Sequence, residues 1–268
     1  MISRLLEEAG LFLGKEKDHN NEALFFFHIN NWLLRQAVGS WDQPEAIRYF
    51  LAHRDVRPLA VKYIRFIMKT PEVTKFLGWE QYLKYRSPEK LNIPWGWKDP
   101  RSTFTLPLWL DIFPDAKIIH IYRNGVDVAN SLKVRENRPL SGLSLAINDK
   151  RRFLYLLRPK RGGFINRSMR CASLEGCFSL WEEYLNEAKS HVSRMQDRAM
   201  EVKYEDFLEN PGEVMISLLN FCGLSADDAV MTKLLQQLKK SRAYAYKDKP
   251  ELQAFSEEVA MRLSRYGY

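Results

Sequence analysis

Two periods run through the apolar and polar positions of this chain, and each period predicts an element. Ile2, Leu5, Leu6 and Ala9 recur at helical spacing, with Gly10 where such a helix stops. Leu11–Leu13, closed by Gly14, reads as a short buried strand. A second helix carries Phe25, Ile29, Trp32 and Leu33, and a long helical tract runs from about Pro44 to Leu77. Ile93, Trp95 and Trp97 alternate with Pro94, Gly96 and Lys98, which predicts a strand ending at Lys98. Leu106, Trp109, Leu110 and Phe113 follow at i, i+3, i+4 and i+7, with Thr105 as the expected N-cap. Ala116–Tyr122 is short, apolar and β-branched, the clearest buried strand in the sequence. It stops at Arg123-Asn124-Gly125, where a helix bearing Val126, Ala129 and Leu132 begins. Leu174–Val192 is helical, and Met200, Val202 and Tyr204 alternate as a strand. Asn210-Pro211 opens a helix that Gly223 closes, with Glu213 placed for a capping box. From Ser225 the pattern is mostly helical.

Strands alternating with longer helices predict βαβ units and a mainly parallel sheet. The fold class is therefore α/β with additional helices, read as a single domain over residues 1–268. In such sheets ligands bind beyond the carboxyl ends of strands, which singles out Lys98, Arg123 and the residues after Tyr204. At 46% hydrophobic and 28% charged residues the chain is globular in composition, and no apolar run is long enough for a membrane span. The amphipathic N-terminus does not read as a signal peptide. Cys171, Cys177 and Cys222 form no CxxC pair, so idle thiols in a reducing cytoplasm are the expectation. The 41 basic and 33 acidic residues give a net charge of +8. That balance favours nucleic acid, a membrane surface or a phosphorylated small molecule as partner. Part of the excess lies between Lys150 and Arg170, a solvated loop or a basic flap over an anionic ligand. Its few aromatics, Phe153, Tyr155 and Phe164, fall short of a nucleic-acid surface.

Arg123 leaves a strand end with a helix directly behind it, and Ser131 lies about two turns into that helix. A guanidinium and a hydroxyl at those positions could hold one phosphate; a surface pair between Arg123 and Asp127 fits the same spacing. Trp95–Arg101 (WGWKDPR), Phe113–Leu132 (FPDAKIIHIYRNGVDVANSL) and Val202–Pro211 (VKYEDFLENP) resemble, in order, three blocks of the sulfotransferase family. Those enzymes take 3′-phosphoadenosine-5′-phosphosulfate (PAPS) as donor. The resemblance implies a P-loop-type three-layer α/β/α domain. It implies Arg123 and Ser131 on the donor's 3′-phosphate, Tyr204 beside the adenine, and Arg101 as a further donor-side candidate. Lys98 is similar to the lysine aimed at the transferring sulfuryl group. A fixed ammonium there stabilises charge accumulating on the leaving phosphate oxygen; a lysine snorkelling beside two tryptophans is the competing reading. Asn21–Phe26 resembles the segment of glycan-modifying relatives that carries a catalytic glutamate ahead of aromatics. Glu22 is thus the first candidate base and His28 the second, while His120, inside an apolar strand, reads as a core residue.

The family's glycine-rich 5′-phosphosulfate loop is not found in this sequence; Lys160-Arg161-Gly162-Gly163 is the nearest segment. The opening helix resembles the one that follows that loop. The expectation is that the first strand and loop lie upstream of Met1, and that residues 1–268 alone bind donor weakly and turn over little. The resemblance implies a cytoplasmic transferase that passes a sulfuryl group to a hydroxyl or amine of a small-molecule or carbohydrate acceptor. It implies no metal and no nucleic-acid partner. The alternative is a non-catalytic relative that keeps only the 3′-phosphate half-site. A P-loop kinase would need a Walker lysine and a Mg²⁺-binding Ser/Thr, and the sequence has neither.

Overall fold

A computed structural model describes residues 1–148, 168–236 and 243–268. In chain order its first elements are α1 (Ile2–Glu8), α2 (Leu24–Gln36), α3 (Ile47–Ala52), α4 (Val56–Ile67), α5 (Thr74–Tyr85), α6 (Ser102–Ile112) and β1 (Ile118–Tyr122). There follow α7 (Gly125–Asn148), α8 (Leu174–Met195), β2 (Ala199–Lys203), α9 (Tyr204–Glu209) and α10 (Pro211–Cys222). The chain closes with α11 (Asp228–Gln236), α12 (Pro250–Glu258) and α13 (Ala260–Ser264). The fold is α/β and mostly helical, with a small parallel sheet that pairs β1 with β2. Two compact units divide it: residues 1–121 with 187–240, and residues 122–186 with 241–268. No helix among the described residues is long and apolar enough to cross a membrane.

An aromatic cluster forms the heart of the first unit. Phe26 of α2 stacks on Trp97 at 4.1 Å between ring centroids and meets Phe76 of α5 edge-on at 4.8 Å. Trp109 of α6 closes on Trp97 at 5.0 Å. The segment before Lys98 is extended but is not the full strand its alternation predicts. Phe12 pairs with Trp95 in a single parallel bridge: Phe12 N–H donates to Pro94 O and Gly96 N–H to Phe12 O, both at 3.0 Å. The ladder cannot grow, because Pro94 has no N–H and Phe12 lies between Gly10 and Gly14, at φ of 103° and 92°. For the same reason Leu11–Leu13 is no strand. Gly14 also has no room for a side chain, since a Cβ there would stand 2.5 Å from the Phe76 ring.

Four more expectations need correction. The tract Pro44–Leu77 is several pieces, α3, α4, a short 3-10 turn at Pro71–Val73 and the start of α5. The prolines decide where it restarts: Pro58 falls in the first turn of α4, and Pro71 opens the 3-10 turn, where a missing N–H is harmless. Thr105 caps nothing. It is buried inside α6, and the turn leading into that helix is built by Asp99, whose Oδ1 accepts the Arg101 N–H at 3.0 Å. Tyr204 is not a strand residue but the first residue of α9, where Glu205 and Asp206 favour a helix N-terminus. The helix at Pro211 begins and ends as read, with Gly223 left-handed at φ 68°, but Asn210 makes no side-chain cap bond and the capping box with Glu213 does not form.

His120, read as a core residue, has only 14% of its side chain exposed and is paired as well as packed. Its Nδ1 lies 2.9 Å from Glu201 on β2, and Lys189 donates to the other Glu201 oxygen at 3.1 Å. Burial lowers the His120 pKa from its ordinary 6.5 against the pull of Glu201, and burial lowers His191 likewise against Glu187. Burial alone would raise Glu201, but His120 and Lys189 hold it below its ordinary value. All three groups are depressed in the folded state, so the unfolded chain binds their protons more readily. For the two histidines this stability is present at neutral pH and is lost as pH falls below about 6.5 and through their folded values, while for Glu201 the loss begins only below about 4.5. Urea unfolding at about pH 7.5 and pH 5.5 should show a lower midpoint at the acidic value. A His120→Asn, His191→Asn double variant should flatten that slope, and an unchanged slope would contradict the assignment.

In the second unit, Val126 and Ala129 of α7 are buried, and Phe178 and Trp181 of α8 form the neighbouring core. Phe178 meets Phe255 of α12 at 5.8 Å, and Trp181 meets Tyr266 at 5.1 Å. Gly125 is required at the start of α7, since a Cβ would come within 2.6 Å of Trp181 and 2.7 Å of Phe178. Cys171 and Cys177 are buried free thiols; a hydrogen bond with Cys171, then burial, pushes Cys177 upward, away from thiolate chemistry.

Candidate functional site

The seven residues singled out in the sequence divide between the units. Glu22, His28, Lys98, Arg101 and Tyr204 belong to the first, Arg123 and Ser131 to the second.

Glu22 is delivered by a turn rather than by a helix. Asp18 Oδ1 accepts the N–H groups of Asn20 and Glu22 at 2.9 and 2.8 Å, and Asn21 adopts φ 65°, a value asparagine tolerates. The carboxylate is thereby held just ahead of α2, with its side chain only 8% exposed. Lys98 Nζ donates to Glu22 Oε1 at 2.8 Å across 76 residues of sequence, and an Arg101 terminal N–H donates to Oε2 at 3.1 Å. Lys98 also reaches the Asn20 carbonyl at 3.4 Å and keeps 39% of its side chain exposed. The tryptophans on either side of Gly96 go into the aromatic core, so the lysine is anchored at its base and open at its tip.

Behind this pair stands a buried layer. Asp99, whose side chain is wholly inaccessible, accepts from Arg101 at 2.8 Å through Oδ1 and from Asn30 at 2.8 Å through Oδ2. Burial raises the Asp99 pKa above its ordinary value, and Arg101 and the Asn30 bond oppose that rise. Burial would lower Arg101, but Asp99 and Glu22 together outweigh it and raise the guanidinium further. Its plane lies 4.2 Å from the Phe27 ring, and its Nε is a buried donor with no hydrogen-bond acceptor among the described residues.

Sequence reading missed Asn30. It is fully buried, donates to Asp99 and to Ser102 Oγ (3.0 Å), and accepts from Thr105 (2.7 Å) and Trp109 (2.8 Å). All four of its hydrogen-bonding positions are used. The available signal was a polar residue four positions after Phe26 and three before Leu33, on the helix face that otherwise enters the core. Asn30→Leu should cost at least about 3 kcal/mol, because each abandoned buried partner costs roughly 1–3 kcal/mol. Asn30→Asp should also destabilise, by setting a second carboxylate against Asp99. Such a pair is raised in pKa, so that loss should shrink as pH falls. Chemical denaturation of both variants at two pH values checks this.

His28 does not join the cluster. It is exposed on α2, edge-on to Phe27 at 5.5 Å, and makes no hydrogen bond with Glu22, Lys98 or Arg101. Tyr204 opens α9 directly after β2.

In the second unit, Arg123 directly follows β1, and its carbonyl accepts from Trp181 Nε1 at 3.1 Å. Its guanidinium donates to Asp127 at 2.7 Å, so the pair read from spacing does form. Asp127 is not a surface partner: it is buried and also accepts the N–H groups of Ala245 and Tyr246 at 3.2 and 2.8 Å. Ser131 is exposed on α7. The basic stretch from Lys150 to Arg167, with Lys160-Arg161-Gly162-Gly163, lies outside the described residues; Arg170 pairs with Glu183 at 2.7 Å.

The model of the sulfotransferase family matches residues 32–228. This chain belongs to the sulfotransferase family. Lys98, Arg101, Arg123, Ser131 and Tyr204 fall inside the matched region, while Glu22 and His28 precede it. No curated protein and no solved structure matches the chain.

Proposed function

We propose that this chain is a PAPS-dependent sulfotransferase that sulfates a hydroxyl or amine of a small-molecule or carbohydrate acceptor. In this reading it works in the cytoplasm, as one P-loop-type α/β/α domain over residues 1–268. The observation that carries the proposal is the 2.8 Å contact between Lys98 and Glu22. It joins a candidate charge stabiliser to a candidate base. The donor supplies the sulfuryl group and a nucleotide leaving group when bound. Glu22 takes the proton from the attacking acceptor atom, and Lys98 sets positive charge beside the oxygen on which negative charge accumulates. Arg101, braced by Asp99, fixes Glu22, and its unmatched Nε donor suits an anionic oxygen. Arg123 and Ser131 hold the 3′-phosphate, and Tyr204 lies beside the adenine. A cation at a strand end, with a helix N-terminus behind it, suits that phosphate. His28, exposed and outside the cluster, is the weaker candidate base.

Calorimetric titration with adenosine 3′,5′-bisphosphate tests the donor assignment. Arg123→Ala should bind about 10- to 150-fold more weakly than wild type, the equivalent of roughly 1.5–3 kcal/mol for a hydrogen bond to a charged group. Equal affinities would remove Arg123 from the site. A second reading is a nucleotide binder without catalysis that keeps only the 3′-phosphate half-site. Binding of the bisphosphate with no transfer of labelled sulfate, from a protein whose Glu22 and Lys98 are intact, is what that reading requires.

A further inference from the structure

We propose that the outer face of α4 is a docking surface for an anionic lipid bilayer. Helix α4 has two apolar faces. One, with Ala60 and Ile64, is buried where α4 packs against α3 and α6. The other carries Leu59, Tyr63 and Phe66 at i, i+4 and i+7, and these are 66%, 43% and 64% exposed. A soluble helix normally turns charged residues outward, and an apolar row on that side marks an interaction surface. Tyr63 is braced by Trp32 of α2, with ring centroids 4.9 Å apart, so the row has an aromatic backing.

Charge identifies the occupant. The segment Val56–Ile67 contains no Asp or Glu. Of its basic residues, Arg57 is committed to Asp111 and Arg65 to Glu89. Lys62 on the helix and Lys69 just beyond it are exposed and have no ion-pair partner among the described residues. At one hundred degrees per residue these two lysines fall together along one flank of the apolar row. The carboxylates that reach α4, Asp111 and Glu89, are held by Arg57 and Arg65, and Asp55 just before the helix lies 3.9 Å from Arg54. An apolar and aromatic ridge bordered by lysine ammonium groups is the pattern of helices that lie in a lipid interface. There the ridge enters the headgroup boundary and the lysines meet lipid phosphates. A second copy of the chain fits less well. An antiparallel two-fold pairing of this face would bring the two lysine flanks together. The chain's net charge of +8 acts in the same direction as the lysines.

Vesicle flotation of the full chain tests the proposal. At low salt it should float with phosphatidylcholine vesicles holding about 30 mol % phosphatidylserine, and not with phosphatidylcholine alone; raised salt should weaken the association. Lys62→Gln with Lys69→Gln should reduce partitioning about 25-fold, near fivefold for each lysine. Leu59→Ser with Phe66→Ser should reduce it at least about tenfold. All four side chains are exposed, and unchanged thermal melting would establish that the variants are folded. Flotation unaffected by either pair, or no flotation with anionic vesicles at low salt, would overturn the proposal. So would a concentration-dependent dimer in sedimentation that Phe66→Ser dissociates, since that would assign the face to a second copy.

Discussion

Glu22→Gln should reduce turnover about 10²–10⁴-fold, the range for losing a positioned general base. The amide keeps the shape of the carboxylate but cannot take the acceptor's proton. It also meets two cationic donors, Lys98 and Arg101, where the carboxylate accepted from both at 2.8 and 3.1 Å. One amide group can be oriented to accept from only one of them. Stability should therefore fall too, by roughly 1–3 kcal/mol for the buried donor left unmatched. The two effects separate by measurement. Sulfate transfer from labelled donor to a pool of hydroxyl and amine acceptors reads the first, and denaturation reads the second. Binding of adenosine 3′,5′-bisphosphate should be nearly unchanged, because Glu22 is proposed to act on the acceptor and not on the nucleotide. Wild-type transfer by Glu22→Gln would eliminate it as the base.

Lys98→Ala should lower turnover about 10²–10³-fold, the loss seen when one preorganised donor to a developing negative charge is removed. Here stability should hardly change. Lys98 is 39% exposed, and ion pairs open to solvent are worth about 0–1 kcal/mol. Arg101 and the Asp18 turn still hold Glu22 when the lysine is gone. The mutation thus tests chemistry with little structural confusion. A fold that melts with Lys98→Ala would mean that the lysine braces Glu22 and nothing more. Lys98→Arg should recover only part of the activity, because a planar guanidinium does not replace a compact ammonium.

The strand–turn–helix around Arg123 was legible in the sequence because several local rules agree there. An apolar β-branched run ends abruptly, a glycine follows where Trp181 and Phe178 leave no room for a Cβ, and a helical period begins. Gly223 closed its helix for an equally local reason, a left-handed φ of 68°. What failed depended on partners distant in sequence. Trp95 and Trp97 alternate as a strand should, but a ladder needs N–H groups on both chains. Pro94 lacks one, and the glycines flanking Phe12 turn the other chain away. Tyr204 continued an alternating pattern, yet the acidic pair behind it tipped the backbone into a helix.

The candidate site was legible as a set of residues and not as a network. Glu22, Lys98 and Arg101 were each recognisable, and the structure joins them through salt bridges that no spacing rule predicts. Asp127 had been a surface partner in the simplest reading of Arg123; it is instead a buried acceptor for two backbone N–H groups from the C-terminal segment. Asn30 illustrates the same gap. Its polarity on a core-facing position was visible, but the four partners that give it a purpose come from Asp99, Ser102, Thr105 and Trp109, about seventy residues or more away.

Affinity for adenosine 3′,5′-bisphosphate, measured beside that for adenosine 5′-monophosphate on the wild-type chain, reads out the 3′-phosphate site by itself. The two ligands differ only in the ribose 3′-phosphate. The bisphosphate should bind at least about tenfold more tightly, since one charge-assisted hydrogen bond is worth roughly 1.5–3 kcal/mol. Equal affinity for the two, or tighter binding of the monophosphate, would contradict the 3′-phosphate assignment.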